Sequence, residues 1–164
     1  MSGTIAVRRA RPEDAPALCD LSLRAIRGSA AAHYSTGQLE AWAARRTVEG
    51  HEWMLRNTHV LLAEADGELA GFCSVALRPV GALRAGEVDQ AFVAPAQGGR
   101  GVARALLTQV AADARAAGLT RLLTHASWRA VPVFERLGYR RVRIETVDLD
   151  GVALTRVLMD TDLG

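Results

Sequence analysis

The sequence predicts a mixed α/β domain built around a central, mainly antiparallel sheet. Three observations support this prediction. Short apolar runs alternate with segments of helical periodicity, two Asp-Gly pairs separate neighbouring apolar runs, and 164 residues suit one domain. We therefore treat residues 1–164 as a single domain. The predicted element order is β-α-α-β-β-β-α-β-α-β-β, which gives about seven strands and about four helices.

The N-terminal third contains a strand followed by two helices. Residues 5–10 form an apolar strand that ends at Arg11-Pro12. The next helix has an apolar stripe at Leu18, Leu21, Ala25 and Ile26. Ser35 with Gln38 three residues later is a capping-box signature for the second helix. A further short helix is predicted around residues 48–56.

The middle of the chain contains a hairpin, a strand and a long helix. Residues 60–64 and 69–77 flank Asp66-Gly67, which is typical of a β-hairpin. Residues 87–93 form the next strand, because Pro95 cannot donate to a sheet ladder. Apolar residues at helical spacing over 103–117 predict an amphipathic helix that ends at Gly118.

The C-terminal part closes the domain with a strand, a short helix and a hairpin. Residues 122–125 form a short buried strand, and residues 130–137 form a helix ended by Gly138. Residues 139–149 and 152–159 flank Asp150-Gly151, a type I′ turn signal. Pairing of the strand at 152–159 across a homodimer is left open.

Composition and charge exclude several classes of protein. The net charge of +2 and the few aromatic residues argue against a nucleic-acid binder. All 20 basic residues are arginine, which indicates codon bias before function. No apolar run approaches the ~20 residues of a membrane helix, and the N-terminus has no signal core. Two cysteines are too few for a disulfide framework or a zinc site. We expect a cytoplasmic protein without metal.

The segment from Val93 to Leu107 carries the clearest functional signal. A strand ends, a glycine-rich loop follows, and a helix begins. Free backbone N–H groups and the positive end of the helix dipole make such a junction suitable for an anion. A glycine-rich turn that serves only as a connector is the plain alternative. The Rossmann and P-loop fingerprints both fail, since the required glycine and lysine are missing.

Several segments together resemble the GNAT superfamily of acetyl-CoA-dependent N-acetyltransferases, in its stand-alone bacterial type. Gly101-Val102-Ala103 is similar to the second half of that family's Q/R-x-x-G-x-G/A loop, although Gly98 stands where Gln or Arg is usual. Residues 11–14, 66–72, 131–139 and 33–42 resemble other family segments in the same order. The resemblance implies the GNAT fold and acetyl-CoA as co-substrate.

The resemblance also implies where acetyl-CoA binds. The loop would hold the pyrophosphate, and the end of the fourth strand would pair with the pantetheine arm. Phe134 occupies the position at which relatives often have a tyrosine that protonates the leaving thiolate. The implied cofactor-binding residues are Phe92, Val93, Gly98, Gly99, Arg100, Gly101, Val102, Ala103, Arg104 and Phe134.

Three residues are candidates for the chemistry. Glu87 and Asp89 are two apart on one strand, so alternation places both carboxylates on one face together with Val93. Glu87 matches the family's frequent general base, Asp89 is the second candidate, and each has the alternative of a solvated strand-end charge. Ser127 is a weak candidate for the proton donor and is equally suited to cap the following helix.

The early helices wall the acceptor pocket in this family, so His33, Tyr34 and Trp42 are candidate acceptor-binding residues. Packing and surface roles are their alternatives. His125, on a buried strand, is interpreted as a core histidine, and His51 and His59 lack metal-ligand spacing. We therefore predict an N-acetyltransferase in which a small-molecule or peptide amine attacks acetyl-CoA directly. The alternative is a non-catalytic CoA-binding or regulatory module on the same fold.

Overall fold

Seven strands form one sheet in the computed structural model, which describes residues 3–164. Their order is β1-β2-β3-β4-β5-β7-β6, and every neighbouring pair is antiparallel except β4 with β5. This confirms the predicted fold class. The strands are β1 (Ile5–Arg9), β2 (His59–Ala65), β3 (Glu68–Val75), β4 (Glu87–Val93), β5 (Arg121–Ala126), β6 (Arg140–Leu149) and β7 (Val152–Asp162).

Five α-helices cover the sheet in the described part of the chain, the four of the predicted order and the short one predicted around residues 48–56. Ser35 and Gln38 form the predicted capping box at the start of α2, and the Thr47 hydroxyl caps α3 by accepting from the Gly50 amide at 3.0 Å. The helices are α1 (Ala15–Gly28), α2 (Thr36–Ala43), α3 (Val48–Asn57), α4 (Val102–Ala116) and α5 (Val131–Arg136).

Both Asp-Gly pairs form the predicted hairpin turns. Asp66 and Gly67 have φ of 53° and 81°, and Asp150 and Gly151 have φ of 53° and 89°. Positive φ at both central residues is the hallmark of the type I′ turn, which matches the twist of the flanking strands. These turns set the register of β2 with β3 and of β6 with β7.

The sheet separates two apolar cores. One core contains buried residues of α4 and α5 against β2, β3, β5 and β7, including Leu106, Val110 and Phe134. On the other face, α1 and α3 pack on β2 and β3 through Leu18, Met54 and Phe72, and α2 packs on β7. Both faces of the central strands are therefore covered by helices.

None of the helices within residues 3–164 combines the length and apolarity needed to cross a bilayer. Among the same residues, no group of three or more His, Cys, Asp or Glu side chains is arranged to hold a metal ion.

Candidate active site

The parallel pair in the sheet opens after two residues. Glu87 pairs with Leu123 and Val88 with Thr124, and no further pairs join β4 to β5 in the described structure. Beyond this point β4 stays paired with β3 as far as Val93, so its other edge is open from Asp89 to Val93. Unpaired backbone amides and carbonyls on such an edge can bind an extended ligand in the manner of an added strand.

Gly86 allows the two strands to meet at the closed end of this opening. Its φ is +85°, and a Cβ at this position would lie 2.4 Å from the Arg121 carbonyl oxygen. Its own carbonyl accepts from the Leu123 amide at 3.0 Å. A side chain here would force β4 and β5 apart, so this glycine fixes where the sheet begins to separate.

A β-bulge corrects the predicted placement of the β4 side chains. Gln90 pairs with Ser74 and Val88 with Val75, which leaves Asp89 as the extra residue. Val88 consequently lies in the core beneath α4 together with Val93. The prediction that Glu87 shares a face with Val93 is therefore wrong, because strict alternation fails at the bulge.

A cleft of about 480 Å³ passes through the opening between β4 and β5. Its walls include the glycine-rich loop, the start of α4, the end of β4 and residues of α5 on one side. On the other side they include Ala25 and Ser29 of the α1 region and Trp42 of α2. The cleft thus connects the loop with the opposite face of the sheet.

The loop ahead of α4 has the backbone geometry of an anion cradle. Gly99 and Gly101 have φ of +77° and +83°, a conformation that glycine adopts without strain. Gly101 is the N-cap of α4, and among the described residues no side chain caps its amides. The first N–H groups of a helix have no intrahelical partner, so they remain available to a ligand.

Most of the predicted cofactor-binding residues line the cleft, and Arg100 is the exception. Its guanidinium donates to Asp66 at 2.9 Å and also to the Gln97 side chain, which holds it against the β2–β3 turn. The predicted role of Arg100 beside the cleft therefore does not agree with its position. The predicted residues that do line the cleft are Phe92, Val93, Gly98, Gly99, Gly101, Val102, Ala103, Arg104 and Phe134.

Sequence analysis did not identify two arginines that line the cleft. Arg129 and Arg136 join Arg104 there, which places three guanidinium-bearing residues around one opening. Arginine binds phosphate oxygens in a bidentate manner. Arg129 precedes the short helix α5 and Arg136 is its last residue. Only the fold reveals that both lie near the loop.

Glu87 is a buried, hydrogen-bonded carboxylate at the closed end of the opening. The residue is 7% exposed, and its Oε1 accepts from the Arg84 amide at 3.1 Å. The second oxygen, Oε2, lies 3.7 Å from His125 Nε2. Glu87 is thus fixed in position and lies behind the residues of β4 that line the cleft.

Asp89 contrasts with Glu87, although only one residue separates them. Asp89 is exposed to solvent, but the surrounding protein still partly desolvates its carboxyl group. This desolvation raises the pKa of the Asp89 carboxyl above its usual value, the charge of Arg46 opposes the shift, and the charge of Glu87 adds to it.

His125 is largely buried, with a side-chain exposure of 18%, and its ring contacts two carboxylates in place of the purely apolar surroundings of a core. Its Nδ1 lies 2.8 Å from Glu145 Oε1, and its Nε2 faces Glu87. Burial raises the pKa of Glu145, but the hydrogen bond and charge of His125 outweigh it, so the pKa lies below its usual value. The alternation of β5 and the register of β6 with β7 would have been needed to predict this contact.

Ser127 and Phe134 both line the cleft. The N-cap of α5 is Ala130, without a side-chain cap, and Ser127 contributes only its carbonyl, which accepts from the Ala130 and Val131 amides. The capping role considered for the Ser127 hydroxyl is therefore not observed. Phe134 is 3% exposed and packs edge-on against Tyr139 with ring centroids 4.9 Å apart. It forms an apolar wall of the cleft.

The three predicted acceptor-binding residues separate in the structure. His33 is exposed and absent from the cleft wall. Tyr34 is buried, where its hydroxyl donates to the Thr155 carbonyl at 2.9 Å and accepts from the Trp128 amide at 3.0 Å. Only Trp42 lines the cleft, packed against Phe92 at a centroid distance of 6.0 Å. Tyr34 thus has a structural role, and the proposed cluster reduces to Trp42.

The comparisons with known proteins agree with this geometry. The family model described as an acetyltransferase (GNAT) domain matches residues 30–160. The chain is 31% identical over 157 residues to the N-acetyltransferase YafP of Escherichia coli (strain K12), with 94% of each chain covered.

Solved structures with the same fold include the following two. A GCN5-related N-acetyltransferase from Rhodopseudomonas palustris aligns with a TM-score of 0.87 and 29% identity, covering 99% of this chain and 98% of that one. YncA from Salmonella typhimurium, solved with its cofactor acetyl-CoA, aligns with a TM-score of 0.67 and 20% identity, covering 98% of this chain and 94% of that one. The second likeness concerns the fold alone.

Proposed function

Because the chain belongs to the GNAT family of acetyl-CoA-dependent acyltransferases, we propose that it transfers the acetyl group of acetyl-CoA to a primary amine by direct attack in a ternary complex. One observation carries the proposal. The cleft passes through the sheet where β4 and β5 separate, with the glycine-rich loop on one side and the Trp42 side of the sheet on the other. Two substrates can therefore approach one point from opposite faces.

The residues on the first side suit acetyl-CoA. The loop from Gly98 to Arg104 offers uncapped amides and a helix N-terminus to the pyrophosphate. A Cβ at Gly99 or Gly101 would meet no atom within 4 Å, so the space beside the loop is open. The open edge of β4 at Phe92 and Val93 suits the amides of the pantetheine arm. YncA, which shares the fold, was solved with its cofactor acetyl-CoA, and this supports acetyl-CoA as the ligand of the cleft.

The residues on the second side suit an amine. Glu87 is proposed as the general base that removes a proton from the acceptor ammonium through a water molecule, since its side chain is not among those that line the cleft. Asp89 is the alternative carboxylate. A backbone N–H on the open edge of β4 would polarise the thioester carbonyl in the tetrahedral intermediate.

Direct attack fits the chemistry of the cleft better than a covalent acetyl-enzyme. Cys73 lines the cleft, but burial raises the pKa of its thiol to about 12. A cysteine reacts as the thiolate, so this thiol is a poor nucleophile near neutral pH. Ser127 also lines the cleft, yet it has no side-chain hydrogen bond to a histidine among the described residues, the contact that activates a serine.

An acceptor screen with purified protein tests the proposal. Acetyl-CoA binding is measured by calorimetric titration, and release of CoA thiol is followed with small aliphatic amines, amino acids and peptides with free N-termini. Turnover with at least one amine, linear in protein concentration, is the expected result. Binding of acetyl-CoA without turnover on any amine would favour the non-catalytic CoA-binding module. Absence of acetyl-CoA binding would contradict both.

A further inference from the structure

We propose that His125 and Glu145 form, with Glu87, a relay that carries the proton taken from the acceptor amine away from the site to solvent. The inference rests on the proposed role of Glu87 as general base. His125 and Glu145 touch no substrate, so they act through Glu87 as positioning and proton-transferring residues. The observation is a chain of three side chains contributed by β4, β5 and β6.

The sheet register brings the three side chains into line. Glu87 pairs with Leu123, and alternation along β5 places His125 on the same face as Leu123. His125 pairs with Leu158 of β7, and Glu145 of β6 pairs with Arg156 of the same strand. The side-chain exposures of Glu87, His125 and Glu145 are 9%, 18% and 20%, so the chain runs from the interior towards the surface.

The contacts define the tautomer of a neutral His125. Glu145 Oε1 can only accept when the carboxylate is ionised, so the ring nitrogen 2.8 Å away, Nδ1, carries the proton. The lone pair of Nε2 then faces Glu87 Oε2, 3.7 Å away. This distance is longer than a hydrogen bond, and a small rotation of either side chain or one water molecule closes it.

The proton balance is complete without a further reactant. The acceptor ammonium loses a proton to the Glu87 carboxylate, which becomes a carboxylic acid. That acid donates to His125 Nε2, and the resulting imidazolium releases its Nδ1 proton to Glu145. Glu145 passes the proton to solvent, which leaves His125 as its neutral Nε2–H tautomer. The ring returns to the Nδ1–H tautomer when water takes the Nε2 proton and a second proton returns from solvent to Nδ1 through Glu145. Each step moves one proton between adjacent groups.

Several charged groups surround the relay and tune it. On β4, Asp89 lies near His125, and Arg84 precedes the strand with its Nε 3.9 Å from Glu87. On β6, Arg143 Nη2 lies 3.9 Å from Glu145 Oε2, and on β7 the charge of Arg156 helps to keep the pKa of Glu145 low. The two arginines near Glu145 favour its ionised form, which keeps it ready to accept from His125.

The decisive kinetic test is His125→Gln, because glutamine keeps a hydrogen-bonding side chain but cannot shuttle protons. With the best amine from the screen at low buffer concentration, we expect kcat to fall about tenfold, less than the 10²–10⁴-fold typical of losing a general base itself. Added imidazole should restore kcat in the variant and leave the parent protein unchanged. Glu145→Gln should lower kcat in the same direction.

The matched control is His59→Gln. His59 also pairs with a carboxylate, its Nε2 lying 2.7 Å from Asp113 Oδ2, but it lies on β2 and outside the cleft wall. The His59→Gln variant should have the kcat of the parent protein, and added imidazole should not change that kcat. A fall in kcat for His125→Gln that imidazole does not reverse would make His125 a structural residue, and an unchanged kcat would mean that no relay operates. Either result overturns the proposal.

A second measurement does not depend on finding an acceptor. In protein labelled with ¹⁵N-histidine, the neutral form of His125 should show its proton on Nδ1, and Glu145→Gln should shift that resonance. A neutral His125 that carries its proton on Nε2 would overturn the proposed relay. Full activity of Glu87→Gln would overturn the general-base assignment and the relay with it, even where His125 shows the expected tautomer, and would leave the proposed acetyl transfer standing.

Discussion

The two ends of the cleft differ in whether backbone or side chains form them. The end proposed for acetyl-CoA consists mostly of backbone, namely the loop from Gly98 to Gly101, the first turn of α4 and the free edge of β4. The end proposed for the amine is walled by side chains from distant segments, such as Ala25 and Trp42, and the proposed base Glu87 lies outside that wall beside His125. A backbone site tolerates changes of side chain, whereas a side-chain site is lost when one residue changes.

This contrast explains the departures from the family pattern at the first end. Gly98 stands where Gln or Arg is usual, yet the uncapped amides of α4 depend on the fold and not on that side chain. Gln97, one position earlier, accepts a hydrogen bond from Arg100 and so helps to order the loop. At the amine end the proposed chemistry depends on individual side chains and not on the backbone. Substitutions there are therefore expected to have the larger effects on activity.

The largest loss of activity is expected for Glu87→Gln. Removing the carboxylate while keeping the shape should lower kcat/KM by roughly 10²–10⁴-fold, the usual contribution of a general base. The affinity for acetyl-CoA, measured by calorimetric titration, should stay unchanged because Glu87 lies outside the cleft wall.

Asp89→Asn is the matched control, since it removes a carboxylate one residue further along the same strand. We expect less than about a tenfold loss in kcat/KM, below the range for a lost general base. If Asp89→Asn is the damaging change and Glu87→Gln is mild, the assignment of the base must be reversed. The raised pKa of Asp89 would then place the acidic limb at higher pH than for an ordinary aspartate.

Gly101→Asp should weaken acetyl-CoA binding at the end of the cleft that the backbone forms. The substitution places a residue at φ +83° and puts a negative charge at the N-terminus of α4, where the cradle would hold an anion. Charges at a helix terminus contribute up to ~2 kcal/mol, so we expect acetyl-CoA to bind about 10- to 30-fold more weakly. Calorimetric titration measures this change.

Gly118→Asp separates strain from charge. Gly118 has φ +86°, a Cβ there would meet no atom within 4 Å, and it follows the other end of α4. This variant should bear similar backbone strain and retain the parent affinity for acetyl-CoA. Equal loss of affinity in both variants would show that general destabilisation, and not the anion cradle, explains Gly101→Asp.

The same contrast governs what the sequence could predict. The fold class, both Asp-Gly turns, the capping box at Ser35 and the glycine-rich loop were predicted, because each depends on residues close together in the chain. The cleft residues contributed by the loop are contiguous, so locating the loop located most of them. Local patterns are sufficient where the backbone itself forms the site.

The amine end could not be predicted because long-range pairing assembles it. The bulge at Asp89 reverses the face of Glu87 relative to Val93, and no residue in the strand signals it. The contact of His125 with Glu145 needs the order β5-β7-β6 and its register. Gly86 was not recognised as the point where β4 meets β5, although a glycine directly before a strand is a local sign of close approach.

Tyr34→Phe tests the conclusion that Tyr34 supports the cleft without binding the acceptor. Its hydroxyl bridges the Trp128 amide and the Thr155 carbonyl, so its loss leaves two backbone groups without that partner. We expect the free energy of unfolding to fall by about 1–2 kcal/mol, with KM for the amine unchanged. Tyr139→Phe is the control, because its buried hydroxyl has no partner among the described residues, and its removal should be neutral or stabilising.

The smallest effects are expected at the point where the two ends meet. Phe134 cannot donate a proton, and a CoA thiolate is stable enough to leave and take a proton from water. Ser127 lines the same cleft but is held in place by its carbonyl rather than its hydroxyl. Ser127→Ala should therefore change kcat by less than about threefold, well below the contribution of a general acid. Phe134→Tyr should retain or improve turnover, because it restores a phenol to an apolar wall. Both variants are assayed with one reactive amine and with acetyl-CoA affinity measured in parallel. A loss of about 10²-fold or more in Ser127→Ala, at unchanged acetyl-CoA affinity, would instead identify Ser127 as the proton donor to the leaving thiolate.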